Sequence, residues 1–187
     1  MGEIIAIEKD IEEGDLVTIE GRTPLFITAV VELSVKKDRE RGRRIIKHGF
    51  NDAEDNFDVC QCIKYAEENS LNNTTFFFNQ SYEWFDSRAS SSKNNKNFGW
   101  LMDQALRQKC RVFISMTHFD MLDKRVRRAV SARLLVRPQV DNGFIYAAKI
   151  RAIDLKTGER DTLEVPINRD VHYGNSFSEI MSDLRQN

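Results

Sequence analysis

Thr74-Thr75-Phe76-Phe77-Phe78-Asn79-Gln80-Ser81-Tyr82-Glu83-Trp84-Phe85-Asp86-Ser87-Arg88 is the stretch that decides how this 187-residue chain folds. Thr74 to Phe78 is an unbroken run of β-branched and aromatic residues, the pattern of a strand buried on both faces. It stops at two adjacent amides, Asn79 and Gln80. On its N-terminal side, Leu71-Asn72-Asn73 reads as a turn and Asp58 to Asn69 as a helix. A polar turn over Asn51 to Asn56 and a short strand at Ile45-Ile46 precede that helix. Further back, Leu16-Val17-Thr18-Ile19 is a buried strand that stops at Gly21. There Thr23 can cap a helix with Pro24 at its first position. That helix leads through Ala29, Val30 and Leu33 into a charge run, Lys36 to Arg44, expected to be solvated.

On the C-terminal side, Ala89 to Asn97 is rich in Ser, Asn and Lys and is expected to be an exposed loop. Phe98 to Gln108 follows as a helix, with Leu101 and Ala105 facing inward. Arg111 to Met116 and Ala132 to Val136 read as strands with a basic helical turn between them. Phe144 to Ile153, Lys156-Thr157-Gly158 and Asp161 to Val165 form a β-hairpin pattern. Strands that alternate with helices predict an α/β fold, a mostly parallel sheet with helices on both faces. A single domain over 1–187 is expected, with an acidic leader at 1–15 and a hairpin and tail at 139–187.

Composition narrows the function classes. A formal net charge of -1 excludes a globally basic nucleic-acid binder but allows a local basic face. No apolar run approaches the roughly 18–20 residues that span a bilayer, and Met1 to Asp15 lacks a basic region followed by an apolar stretch. A cytoplasmic location with no membrane partner is the expectation. Cys60, Cys62 and Cys110 make no disulfide framework, and Cys60 and Cys62 on one helix diverge rather than converge on zinc. His48, His118 and His172 show no metal-ligand spacing. Glu83 and Asp86 suit a solvated helix start better than a carboxylate pair, and Tyr82, Trp84 and Phe85 suit packing better than base stacking.

Taken in order, an apolar strand with two polar residues at its end, Asp86-Ser87-Arg88, a Ser-rich loop, a helix with Gln, Arg and Lys, a strand ending Met116-Thr117-His118, and Asp123-Lys124-Arg125-Val126-Arg127 resemble one known family. The sequence is similar to the FtsK/HerA-type branch of P-loop ATPases, especially the Zot-like ATPases of archaeal viruses and plasmids. The match is good over residues 76–137 and looser over 16–75. The resemblance implies a RecA-like P-loop NTPase fold, ATP and Mg²⁺ as family cofactors, and DNA and homologous ATPase subunits, or self-association, as partners. It also implies roles for particular positions. Asn79 and Gln80 stand where the Walker B acids belong, His118 at the sensor glutamine, and Arg125 and Arg127 where an arginine finger would be supplied to a neighbour.

The sequence departs from that family at the chemistry. A Walker A loop needs G-x-x-x-x-G-K-[ST], whereas Gly21-Arg22-Thr23 runs straight into Pro24 with no lysine at the turn. Replacing the metal-binding aspartate by Asn79 forfeits roughly 4 kcal/mol at about 4 Å and an effective dielectric near 20, about a thousandfold in affinity. An amide at Gln80 cannot act as a base, a role worth roughly 10²–10⁴ in rate. The leading expectation is a non-hydrolysing relative of a DNA-translocating or packaging ATPase, acting through protein or DNA contacts, with no cofactor of its own. Two alternatives stand beside it: an ATPase that still binds nucleotide, including a form inactivated by design, and a scaffold or inhibitory subunit docked on an active homologue. For Arg125, Arg127, Arg128, Arg133 and Arg137 the competing reading is a solvated basic helix face.

Overall fold

The computed structural model describes residues 14–22, 24–49, 57–79, 82–89, 91–141 and 144–166. The elements run β1 (Leu16–Glu20), α1 (Pro24–Glu40), β2 (Arg44–His48), α2 (Val59–Glu68), β3 (Thr74–Asn79) and a short α3 (Tyr82–Phe85). They continue with α4 (Lys93–Arg107), β4 (Arg111–Met116), α5 (Lys124–Ala129), β5 (Val130–Asp141), β6 (Phe144–Asp154) and β7 (Arg160–Pro166). Among the described residues, seven strands lie in one sheet in the order β2-β3-β4-β1-β5-β6-β7. The pairings among β2, β3, β4, β1 and β5 are parallel, and β6 and β7 add an antiparallel extension.

Strand alternation sends the apolar residues into two cores. On one face, Val17, Ile19, Phe77, Phe113, Leu134 and Val136 pack under α1 through Phe26, Ile27, Val31 and Val35. On the other, Leu16, Phe76, Phe78, Val112, Ile114 and Met116 pack under α2 and α4 through Val59, Cys62, Phe98, Leu101 and Ala105. The Phe76–Phe78 run therefore feeds both layers, as a strand covered by helices must. Helix α2 starts at a capping box: the Asp58 carboxylate accepts from the Gln61 N–H, and the Gln61 side chain accepts from the Asp58 N–H.

Three expectations need correcting. The polar stretch 89–97 is not all loop: α4 begins at Lys93, with the Ser92 side chain accepting from the Asn95 N–H. Asn95 itself is buried, donating from Nδ2 to the Asp86 carbonyl at 2.6 Å. A well-capped polar segment can supply the first turns of a helix even without apolar periodicity. Nor is the charge run of α1 wholly solvated, because Asp38 is only 1% exposed. β5 is also longer than its apolar centre, since its polar end pairs with β6 as far as Asp141. Pro138 is tolerated there because β1 has already ended at the level of Leu135, leaving that side of β5 without a strand among the described residues. Among the described residues no helix is long and apolar enough to cross a membrane.

Candidate functional site

In an open α/β sheet, ligands bind beyond the carboxyl ends of the strands, where the chain order reverses. Here that edge gathers the ends of β1, β3 and β4: Glu20 and Gly21, Asn79, and Ser115 to His118. The residues singled out from the sequence thus converge on one edge, although Thr23 and Gln80 lie outside the described residues.

The β1–α1 connection is three residues long, Gly21 to Thr23, between a strand ending at Glu20 and a helix beginning at Pro24. The Gly21 N–H is not turned outward, since it donates to the Met116 carbonyl at 3.1 Å. A Cβ on Gly21 would lie 2.9 Å from the Val136 carbonyl oxygen and 3.2 Å from Ile27 Cγ1. Glycine is thus required by the closeness of β5 and α1, without any ligand. Arg22 is exposed beside it.

At the end of β3, the Asn79 side chain is engaged on both sides. Its Nδ2 donates to the Gly49 carbonyl at 3.0 Å, and its Oδ1 accepts from Ser115 Oγ at 2.5 Å. A carbonyl can only accept, so the Gly49 contact fixes which end of the amide is NH₂. Gly49 sits at φ +79°, and a Cβ there would fall 2.3 Å from the Asn79 carbonyl oxygen. The exit of β2 therefore lies directly on the exit of β3, with the Asn79 amide tying three strand ends together.

Glu20, which the sequence reading passed over, is the carboxylate at the end of β1. It is 6% exposed, accepts from Thr18 Oγ1 at 2.8 Å, and receives a two-pronged contact from Arg133 Nε at 2.8 Å and Nη2 at 2.7 Å. That bond with Glu20 raises the Arg133 pKa above its ordinary value, against the opposing effect of burial. The guanidinium also covers the Phe119 ring at 4.3 Å. A charge in an otherwise apolar strand is the signal that would have found it, because a buried carboxylate needs a partner.

Beyond β4, His118 is exposed and precedes the single turn Phe119–Met121 without a side-chain capping bond. Asp123 caps α5 and holds Arg125 at 3.0 Å, while Arg127 reaches Asp120 at 3.1 Å. Burial alone would raise the Asp123 pKa, but the hydrogen bonds and charge of Arg125, with the charge of Arg127, bring it below the usual carboxylate value. Both arginines of the finger positions are thus bound to carboxylates of their own chain. Asp86 is held low in the same way by Arg88, whose side chain grips it at 2.8 Å.

Among the described residues no three His, Cys, Asp or Glu side chains gather as a metal-binding group. Cys62 and Cys110 are buried and Cys60 is exposed. Burial pushes the Cys62 thiol up to about 12, leaving it protonated and inert.

No protein-family model matches this sequence, and no curated protein sequence matches it. Solved structures do. The N-terminal domain of zonular occludens toxin from Neisseria meningitidis superposes with a TM-score of 0.59 at 11% identity, over 81% of this chain and 94% of that one. B204, the DNA-packaging ATPase of Sulfolobus turreted icosahedral virus, gives 0.60 at 10% identity over 84% and 100%. A KaiC-like protein from Pyrococcus horikoshii gives 0.58 at 10% identity over 83% and 86%. At these identities the likeness is one of architecture, and by architecture this chain is a RecA-like P-loop NTPase fold.

Proposed function

We propose that the chain is a non-hydrolysing relative of the DNA-packaging ATPases, working as a binding component rather than as a motor. The observation that carries this reading is the three-residue passage from Glu20 to Pro24. A phosphate cradle needs a run of backbone N–H groups directed at the ligand, but the Gly21 N–H is taken by Met116 and Gly21 itself is closed in by Val136 and Ile27. The residues present do not fit a Mg²⁺–nucleotide. Asn79 carries no charge, and its amide is already spent on Gly49 and Ser115.

Calorimetry with ATP–Mg²⁺ and a phosphate-release assay test this together. No binding in the micromolar range and no hydrolysis above background are expected; tight binding would favour a nucleotide-binding ATPase instead. Changing Asn79 to Asp together with Gln80 to Glu should not bring activity back. Asn79→Asp should instead destabilise the fold by about 1–3 kcal/mol, because a carboxylate oxygen replaces the donor facing the Gly49 carbonyl. Mg²⁺-dependent turnover by that double variant would overturn the reading.

A DNA contact is favoured by one surface. Arg137 stands opposite Lys149 across β5 and β6, Arg151 lies two residues along β6, and all three point away from α1. None of them forms an ion pair among the described residues, although Glu164 lies opposite Lys149 on β7. This face therefore suits a phosphate backbone better than Arg125 and Arg127, which are already paired. Replacing Arg137, Lys149 and Arg151 by Ala should flatten the salt dependence of duplex binding by roughly 2–3 in slope, about 0.9 per phosphate contact. An unchanged slope in a gel-shift titration would return these residues to a solvated face and favour the scaffold or inhibitory subunit, which acts through protein contacts alone.

A further inference from the structure

β7 is the last strand of the sheet, and its outer side has no neighbour among the described residues. Which of its backbone groups face outward follows from the ladder. The Asp154 N–H donates to the Glu159 carbonyl at 3.0 Å. Stepping by two residues through the register makes Ala152–Asp161, Ile150–Leu163 and Ala148–Val165 the bonded pairs. Arg160, Thr162 and Glu164 consequently turn their N–H and C=O groups away from β6. Their side chains share one face, and all three are exposed.

That outward set is self-complementary. An antiparallel pairing of β7 with a second β7, with its two-fold axis at Thr162, puts Arg160 directly opposite Glu164, and Glu164 opposite Arg160, with the two threonines facing each other at the axis. Opposite charges and Thr–Thr pairs directly across an antiparallel ladder are the favourable combinations. The outward N–H and C=O groups of these same residues are the ones such a ladder uses. Pro166, which lacks an N–H, and the Gly158 turn at φ +79° bound the pairing at its two ends. Natural edge strands commonly carry charges of one sign or a central lysine that repel a second copy. Here the two charges are placed so that a second copy neutralises both.

We propose that β7 is the contact of a symmetric homodimer, which joins two seven-stranded sheets edge to edge about Thr162. The interface is isologous, so it closes at two copies. Because the axis stands perpendicular to the sheet, both copies present their Arg137, Lys149 and Arg151 faces on the same side.

Sedimentation across a concentration series reads the mass directly. For the full chain it should rise from 21.7 kDa toward twice that value. Arg160→Glu and Glu164→Arg should each weaken the dimer by about tenfold or more, since each variant sets like charges opposite one another twice. An equimolar mixture of the two variants should re-form a dimer, because its pairs are complementary again. Thr162→Pro should also yield monomer while leaving the β6 ladder intact, as its N–H faces outward. A wild-type chain that stays at 21.7 kDa at every concentration overturns the proposal, whether the edge is covered by the chain's own C-terminal segment or by nothing. A dimer equally tight in both charge variants, or a mixture no more associated than its components, overturns it too.

Discussion

Phe77→Ala is expected to cost about 3–5 kcal/mol of stability, a large share of the roughly 5–15 kcal/mol that holds a domain folded. Phe77 is fully buried at the centre of the α1-side core, stacked on Phe113 with ring centroids 4.8 Å apart and planes 6° from parallel. Truncation removes the ring from between α1 and two strands, and neither layer can collapse inward, because Phe76 and Phe78 pin the same strand from the opposite face. Phe78 is itself held by an edge-on contact with Phe98 at 5.0 Å. Chemical denaturation measures the loss directly. Ser91→Ala and Lys93→Ala, both at exposed positions, serve as controls that should move stability by less than about 0.5 kcal/mol. A mild Phe77→Ala phenotype would make β3 peripheral, and the placement of Asn79 at the sheet's carboxyl edge would go with it.

Asp38→Ala should be comparably severe, about 3–5 kcal/mol. Its carboxylate is the meeting point of several groups at the amino edge of the sheet, remote from the candidate site. Arg111 at the start of β4 forms a short ion pair with it, Thr75 Oγ1 donates to it at 2.7 Å, and Arg41 and Arg43 approach at 3.6 and 3.9 Å. Arg43 also donates to Thr75 Oγ1 at 2.8 Å and to the Thr74 carbonyl at 3.0 Å. Removing Asp38 leaves Arg111, 4% exposed, in a low-dielectric core without its counter-charge. The pairing itself contributes less than its breakage costs. Asp38→Ala combined with Arg111→Met should therefore destabilise by clearly less than the sum of the single changes. Additive losses in a double-mutant cycle would mean that the two side chains act independently.

The sequence disclosed the parallel sheet because burial on both faces leaves a continuous apolar signature, as in Phe76 to Phe78. The C-terminal hairpin was equally plain, since Lys156 to Gly158 carries turn residues between two patterned runs. Asp38 was hidden because a carboxylate within a run of lysines and arginines looks the same whether it faces water or a buried arginine. Only Arg111, distant in sequence, tells the two apart. The start of α4 was hidden for a related reason: Ser92 and Asn95 are loop residues by composition, but Ser92 caps the helix and Asn95 is buried in its first turn. At the candidate site, the shortness of the Gly21 to Thr23 passage was legible, and so was the loss of charge at Asn79. The use of that amide as a tie between Gly49 and Ser115 was not, because Gly49 shows its closeness to β3 only in three dimensions.

The strand order has a consequence for the birth of the fold. β1 precedes the other six described strands along the chain, yet its neighbours among the described residues are β4 and β5, with Leu16 set against Val112 and Val130. Closing so long a loop is an entropic cost that must be met before the pairing returns anything. β2, β3 and β4, joined in sequence through α2 and α4, can meanwhile assemble with one another. During synthesis Leu16 to Glu20 must therefore remain an unpaired, largely apolar strand until most of the chain has emerged. The slot between β4 and β5 is then the last part of the parallel sheet to fill, and a nascent chain interrupted before β5 would expose an unsatisfied sheet edge to its neighbours.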